Sequence, residues 1–193
     1  VLRDFFQTRV AAVRNLLETI EKVLDHDVPI LIRGESGSGK DHLARAIHAC
    51  SNRRSEPFIE IDCATIPADL FESEIFGHEK GAFTGAHDRR TGVFELAHRG
   101  TLFLDEIAEM QPATQVKLLR FLETRSFERI GSMKTISVNV RLVVATNRNL
   151  EQMVREGTVR EDLREPLVNG RGVLDRAVGS QGFTGAGRGT ALR

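Results

Sequence analysis

An excess of charge of either sign is missing from this sequence. Its 27 Lys and Arg residues balance 27 Asp and Glu residues, so the chain as a whole carries no electrostatic footprint of a nucleic-acid binder. Cysteine is scarce: Cys50 and Cys63 are the only two. They lack Cys-x-x-Cys spacing, which makes reduced thiols the expectation. Tryptophan and tyrosine are absent, so phenylalanine, present 11 times, supplies every large aromatic ring. No apolar run approaches the length needed to span a membrane. Nothing near the start reads as a secretory signal, and the expected location is cytoplasmic. The histidines at 26, 42, 48, 78, 87 and 98 show no metal-ligand spacing and are expected at the surface or as neighbours of a site. What remains is a chain of 193 residues, long enough for one α/β domain with a sizeable core.

Three segments carry chemistry. The first is Gly34-Glu35-Ser36-Gly37-Ser38-Gly39-Lys40-Asp41, which follows the apolar run 28–33 and precedes a stretch of helical apolar spacing at 42–48. Strand, glycine loop and helix in that order is the context of a phosphate-binding P-loop. Its backbone N–H groups and the helix N-terminus favour phosphate oxygens, and Lys40 adds a point charge against the outer phosphates. Asp41 stands where most such loops carry a Ser or Thr hydroxyl for magnesium. A carboxylate also ligates magnesium but repels phosphate. The second segment, Thr101–Glu106, is an apolar strand ending in two carboxylates. Beside a P-loop strand, Asp105 suits magnesium and Glu106 suits the polarisation of an attacking water. The third, Val140–Asn147, is a β-branched strand ending in an amide. Ligands of open parallel sheets bind at the carboxyl ends of the strands, so Asn147 is placed to orient a water or sense the terminal phosphate.

A fourth segment, Gly81-Ala82-Phe83-Thr84-Gly85-Ala86, is a poor strand and a poor helix. Two readings of it stand: a surface loop presenting Phe83 and Thr84 to a partner, or a glycine turn whose Phe83 tucks into the core. Elsewhere the periodicity predicts a helix over 10–24, a strand over 58–62, a helix over 68–76 and a helix from Pro112 to about Thr124. That last helix turns inward either Val116, Leu119 and Leu122, or Leu118 and Phe121. Residues 125–137 read as a hairpin with Gly131 and Ser132 at its turn.

Together these motifs resemble the central AAA+ ATPase domain of sigma-54-dependent transcriptional activators, the bacterial enhancer-binding proteins. The resemblance rests on Gly34–Lys40, Glu74–Ala86, Gly100–Ile107 and Ala145–Asn147, and covers about residues 10–163. It implies an α/β P-loop NTPase fold, the large AAA+ subdomain, with a parallel sheet between helices and the helical lid missing. It further implies ATP and Mg2+ as cofactors, with Asp105 and Asp41 as metal ligands, and assembly into a ring, usually a hexamer. The loop 81–86 would then act on sigma-54 and remodel the closed promoter complex. DNA would be met only through a helix-turn-helix domain outside this chain.

Departures from that pattern carry their own expectations. Many relatives place an Asn at the position of Asp62, where it restrains the glutamate corresponding to Glu106. An ionised Asp62 cannot donate that bond. It either leaves Glu106 less restrained or points elsewhere. Arg160 matches the first family arginine, which reaches toward the neighbouring subunit's nucleotide. The second, the arginine finger, would fall at position 166, which is Pro166. Residues 1–163 are therefore expected to form the domain, and the Gly- and Arg-rich stretch 164–193 a divergent, disordered tail. Two functions follow as alternatives: an ATPase that remodels a transcription complex, or a nucleotide-binding module without turnover.

Overall fold

A computed structural model describes Leu2, residues 11–169 and Val173–Leu174. In chain order it contains α1 (Ala11–Glu21), β1 (Ile30–Arg33), α2 (Lys40–Cys50), β2 (Phe58–Asp62), α3 (Ala68–Phe76), β3 (Gly77–His78), β4 (Arg90–Thr91), α4 (Val93–Leu96) and β5 (Thr101–Asp105). A 3-10 turn at Ile107–Glu109 leads to α5 (Pro112–Thr124), β6 (Ser126–Glu128), β7 (Thr135–Ser137), β8 (Arg141–Thr146), α6 (Leu150–Arg155), α7 (Glu161–Asn169) and β9 (Val173–Leu174).

The main sheet has the order β2-β5-β8-β1-β9, and every pairing in it is parallel. Its central strands are buried on both faces because their residues alternate between two apolar layers. Leu31, Leu102, Leu104, Leu142 and Val144 point into a core shared with Phe71, Phe76, Phe94 and Phe121. Ile30, Ile32, Phe103, Val143 and Ala145 point the other way, against Leu17, Ile20, Leu43 and Ile47. This is the helix-covered parallel sheet that the sequence implied.

Helix α5 resolves its open alternative: Leu118 and Phe121 are buried, whereas Val116 is 46% exposed. Helix α7 continues across Arg164 and through Pro166 to Asn169. Residues 170–172 and 175–193, most of the expected tail, lie outside the described residues. Two of the histidines expected at the surface or beside a site, His48 and His78, are buried in the fold. His48 Nδ1 lies 3.0 Å from Thr101 Oγ1, and His78 Nδ1 lies 2.6 Å from Ser73 Oγ. Each ring finds a hydroxyl partner inside the fold, a pairing between distant or turn-related residues that linear spacing does not display.

Candidate functional site

The carboxyl ends of β5, β8 and β1 lie side by side, and each continues into one of the sequence motifs. The glycine loop 34–39 turns sharply out of β1 into α2, with Gly39 at φ 82° immediately before the helix. The loop is anchored to β8 where Gly34 N–H donates to the Thr146 carbonyl at 3.2 Å. Gly34 has no room for a side chain: an added Cβ would lie 2.6 Å from Ser38 Oγ. Lys40, only 7% exposed, folds back into the loop. Its ammonium donates to the Gly34 carbonyl at 3.3 Å, the Glu35 carbonyl at 3.4 Å and Glu106 Oε1 at 3.3 Å.

Glu106 is held at both oxygens, because Oε2 accepts the Asn147 backbone N–H at 3.2 Å. Its backbone is left-handed, at φ 50° and ψ 51°, an uncommon conformation for a residue with a side chain. The Glu106 N–H donates to Asp105 Oδ1 at 2.9 Å. Burial pushes the Asp105 carboxyl above its ordinary value, while the Glu106 amide and Lys40 oppose that rise. Lys40, Asp105, Glu106 and Asn147 are thus brought together as the sequence suggested. One detail differs in kind: Asn147 reaches Glu106 through its main chain, which no residue identity advertises.

Asp62 pairs with Asp105 across the sheet register, yet its carboxylate turns away. Oδ1 accepts the Ala64 N–H at 2.9 Å, and the side chain is exposed. Of the two readings of Asp62, the geometry selects the one in which it points elsewhere. The adjacent Cys63 thiol is buried and pushed up to about 12, by burial first and then by the neighbouring carboxylates. Asp41, in the first turn of α2, is exposed. Among the described residues no three His, Cys, Asp or Glu side chains converge as a metal cage. A magnesium ion held largely by phosphate and water needs only one or two carboxylates.

Arg160 stands apart from this cluster. Its Nε and Nη2 donate to the Asp162 carboxylate at 2.9 and 2.6 Å on the surface, and its N–H donates to Gln115 Oε1 at 3.1 Å.

The run Gly81–Ala86 tips the hairpin of β3 and β4. Gly81 N–H donates to the Ala86 carbonyl at 2.8 Å, and Ala86 N–H to the Phe83 carbonyl at 3.0 Å. Phe83 stays 40% exposed and meets the His78 ring edge-on, with centroids 5.0 Å apart. The outward reading of the ring therefore holds, with His78 as its support. The turn between β6 and β7 braces this loop from behind. Ile130 N–H donates to the Gly77 carbonyl and Glu79 N–H to the Ile130 carbonyl, both at 3.0 Å. A Cβ on Gly131 would come within 2.7 Å of Ala82 Cβ. Beneath them the buried Arg129 binds the Glu95 carboxylate through Nε and Nη2, at 2.8 and 2.5 Å, and Glu79 at 2.8 Å. His78 belongs to the run 74–86 that carries the resemblance and was among the histidines expected at the surface or beside a site, whereas Arg129 was not singled out from the sequence; only its closeness in the chain to the turn at Gly131 could have drawn attention.

The family model described as the sigma-54 interaction domain matches residues 6–169. The chain belongs to that family. Among curated proteins it is 55% identical over 151 residues to the Nif-specific regulatory protein of Azorhizobium caulinodans, covering 78% of this chain and 25% of that protein. It is 53% identical over 156 residues to the regulatory protein AtoC of Escherichia coli K12, covering 81% of this chain and 34% of AtoC. The chain therefore spans a quarter to a third of these relatives. Among solved structures, NtrX from Brucella abortus aligns with a TM-score of 0.76 at 44% identity, over 86% of this chain and 37% of NtrX. The P-loop NTPase domain of an E. coli sigma-54 activator aligns with a TM-score of 0.58 at 15% identity, over 84% of this chain and 94% of that one, and bears on the fold alone. The α/β P-loop NTPase architecture is thus established. Among the described residues no helix is long and apolar enough to cross a membrane.

Proposed function

We propose that this domain binds ATP with magnesium at the loop 34–41, hydrolyses it, and uses the loop 81–86 to remodel the sigma-54 RNA polymerase closed complex. One observation carries the reading: the buried Lys40 ammonium lies between the glycine-loop carbonyls and the Glu106 carboxylate. A cation in that place faces an anion delivered to the loop, with the hydrolytic carboxylate on its far side. Crystals of NtrX from Brucella abortus contain ATP in one case and ADP in another, which supports the nucleotide class. The buried Ser38 hydroxyl without a partner fits a loop made to receive phosphate oxygens.

Magnesium would offset phosphate charge and fix the geometry of the outer phosphates. Lys40 would hold the outer phosphates, and Asp105, with Asp41, the metal. Glu106 would accept a proton from the attacking water, and the Asn147 main chain would set the direction of the Glu106 carboxylate. Arg160, on the surface and clear of this cluster, would serve the site of an adjacent copy in a ring, expected to be hexameric. Phe83 and Thr84, presented on a braced turn, would meet sigma-54 through exposed apolar and hydroxyl surface.

Two measurements on the purified chain test the reading: titration with a fluorescent ATP analogue, and steady-state phosphate release. Binding lost in Lys40→Ala, and turnover lost in Glu106→Ala with binding kept, are expected. Equal affinity of wild type and Lys40→Ala refutes the phosphate assignment. Binding without any turnover selects the alternative, a nucleotide-binding module.

A further inference from the structure

At the root of the loop 81–86 lies an open recess of about 390 Å³, lined by Glu79, Arg89, Glu95, Arg129, Lys134 and Thr135 among others. Glu79 directly follows β3 and Arg89 directly precedes β4, so one wall belongs to the hairpin that bears Phe83. Lys134 and Thr135 bring the other wall from the turn and strand of β6 and β7. The charges in the recess do not balance. Arg129, buried at its floor, takes both carboxylates: Nε and Nη2 donate to Glu95, and Nη1 donates to Glu79. Three cations thus face two carboxylates, and the outer two cations are left over. Arg89, with its side chain 57% exposed, reaches Glu79 only at 3.9 Å, beyond hydrogen-bond length. The Lys134 main-chain N–H donates to Ser132 Oγ, but its ammonium has no partner among the described residues. Thr135, exposed in β7, adds a hydroxyl.

We propose that this recess receives an acidic side chain of sigma-54, so that the partner is held at the root of the loop as well as at its tip. The carboxylate accepts hydrogen bonds from the Arg89 guanidinium and the Lys134 ammonium, both of which are donors only. Because the two cations stand on separate hairpins, an anion shared by them also ties one hairpin to the other. A nucleic-acid duplex fits less well. It carries one negative charge for about every 1.7 Å of its axis and calls for a stripe of cations. Here Glu79 and Glu95 remain in the recess, and the exposed Asp88 stands next to Arg89. Such a surface repels a polyanion, whereas a lone carboxylate matches the single excess charge. This proposal rests on the reading in which the loop 81–86 meets sigma-54, and it adds the chemistry of a second contact.

The experiment measures capture of sigma-54, without DNA, by the assembled ring trapped with ADP and a metal fluoride. Wild type is compared with Arg89→Gln, Lys134→Gln, Lys134→Glu and Arg54→Glu, the last an exposed arginine in the turn after α2. Each neutral variant is expected to weaken capture roughly threefold, as for a solvent-accessible ion pair. Lys134→Glu is expected to weaken it about tenfold or more, because it sets like charges against each other. Arg54→Glu, with the same change of charge, should stay within about twofold. Melting temperature and ADP affinity should not move in Lys134→Glu, since its ammonium holds nothing in the fold. Capture by Lys134→Glu at wild-type strength overturns the proposal. An equal loss in Arg54→Glu overturns it as well, by showing an effect of overall charge. So does a fall in melting temperature that accompanies the lost capture, which would mark a structural role. A defect seen only once promoter DNA is added assigns the recess to nucleic acid and overturns the carboxylate. Wild type that captures no sigma-54, or Phe83→Ala that captures it fully, refutes the reading of the loop itself, a separate result.

Discussion

Lys40 cannot serve the Glu106 carboxylate and an incoming phosphate equally well, and Glu106→Gln measures that competition. In the free chain the ammonium is 7% exposed and the carboxylate 19%, at 3.3 Å. That length is beyond the usual range for an N–H···O bond, and Glu106 retains some solvent. The carboxylate's hold on Lys40 is therefore set near the low end for charged partners, at about 1 kcal/mol. Glutamine keeps the shape and an oxygen for the Asn147 N–H but gives up the charge, so Lys40 is released more cheaply. About 1 kcal/mol corresponds to roughly fivefold tighter binding. ADP is the ligand of choice, since blocked turnover cannot contribute to its retention. Calorimetric titration of wild type, Glu106→Gln and Glu109→Gln, at fixed magnesium and salt, isolates the effect. Glu109 lies three residues further on and pairs with Arg148 at 2.6 Å, so it reports what the loss of a nearby negative charge does in general. The expected result is a fivefold gain for Glu106→Gln and less than twofold for Glu109→Gln. Equal gains, or none for Glu106→Gln, would refute the competition.

Other perturbations reach other parts of the molecule. Arg129→Met strips the Glu95 carboxylate of its partner and leaves Glu79 only the longer contact with Arg89; because both carboxylates retain some solvent, the cost is about 2–3 kcal/mol, below that of a fully buried pair, read as a fall in the denaturant midpoint. Gly131→Val puts a side chain against Ala82 at a residue with φ 76°, so capture of sigma-54 by an assembled ring trapped with ADP and a metal fluoride should fall while nucleotide affinity stays within about twofold. Burial lowers the His48 pKa below its ordinary value, ahead of an opposing hydrogen bond that the ring donates to the Glu56 main chain. The unfolded chain therefore takes up the proton first, and stability should drop as pH falls below about 6.5. His48→Gln should flatten that part of a stability-against-pH curve, and an unchanged slope would count against the assignment.

The strands were legible because parallel strands covered on both faces need unbroken apolar runs, as in Leu102-Phe103-Leu104 and Leu142-Val143-Val144. The four motifs were legible because glycine, lysine and paired carboxylates in that order serve one kind of chemistry. The buried positions of His48 and His78 were not, because each depends on a hydroxyl that the fold brings to it. The Arg129 clamp was hidden for a similar reason: Glu79 and Glu95 lie 50 and 34 residues away from it in the chain. The turn of Asp62 toward Ala64 is a local choice of rotamer, and residue type alone offered two outcomes. Helix α7 crosses Pro166, where a proline usually discourages continuation, so the Gly- and Arg-rich composition beyond 164 concealed the helix at its start.

Helix α3 passes into β3 with no residue between them: Phe76 ends one and Gly77 begins the other. The ring of Phe76 is wedged among Phe94 and Phe127, at centroid distances of 5.4 and 5.8 Å. The loop that bears Phe83 is therefore a bracket, clamped at an aromatic root and propped along its length by the turn at Gly131. A bracket without a slack joint passes displacement of its root directly to its end. Lengthening the chain at 76–77 would shift Gly77 out of register with Thr91 and slacken the root from which the loop springs.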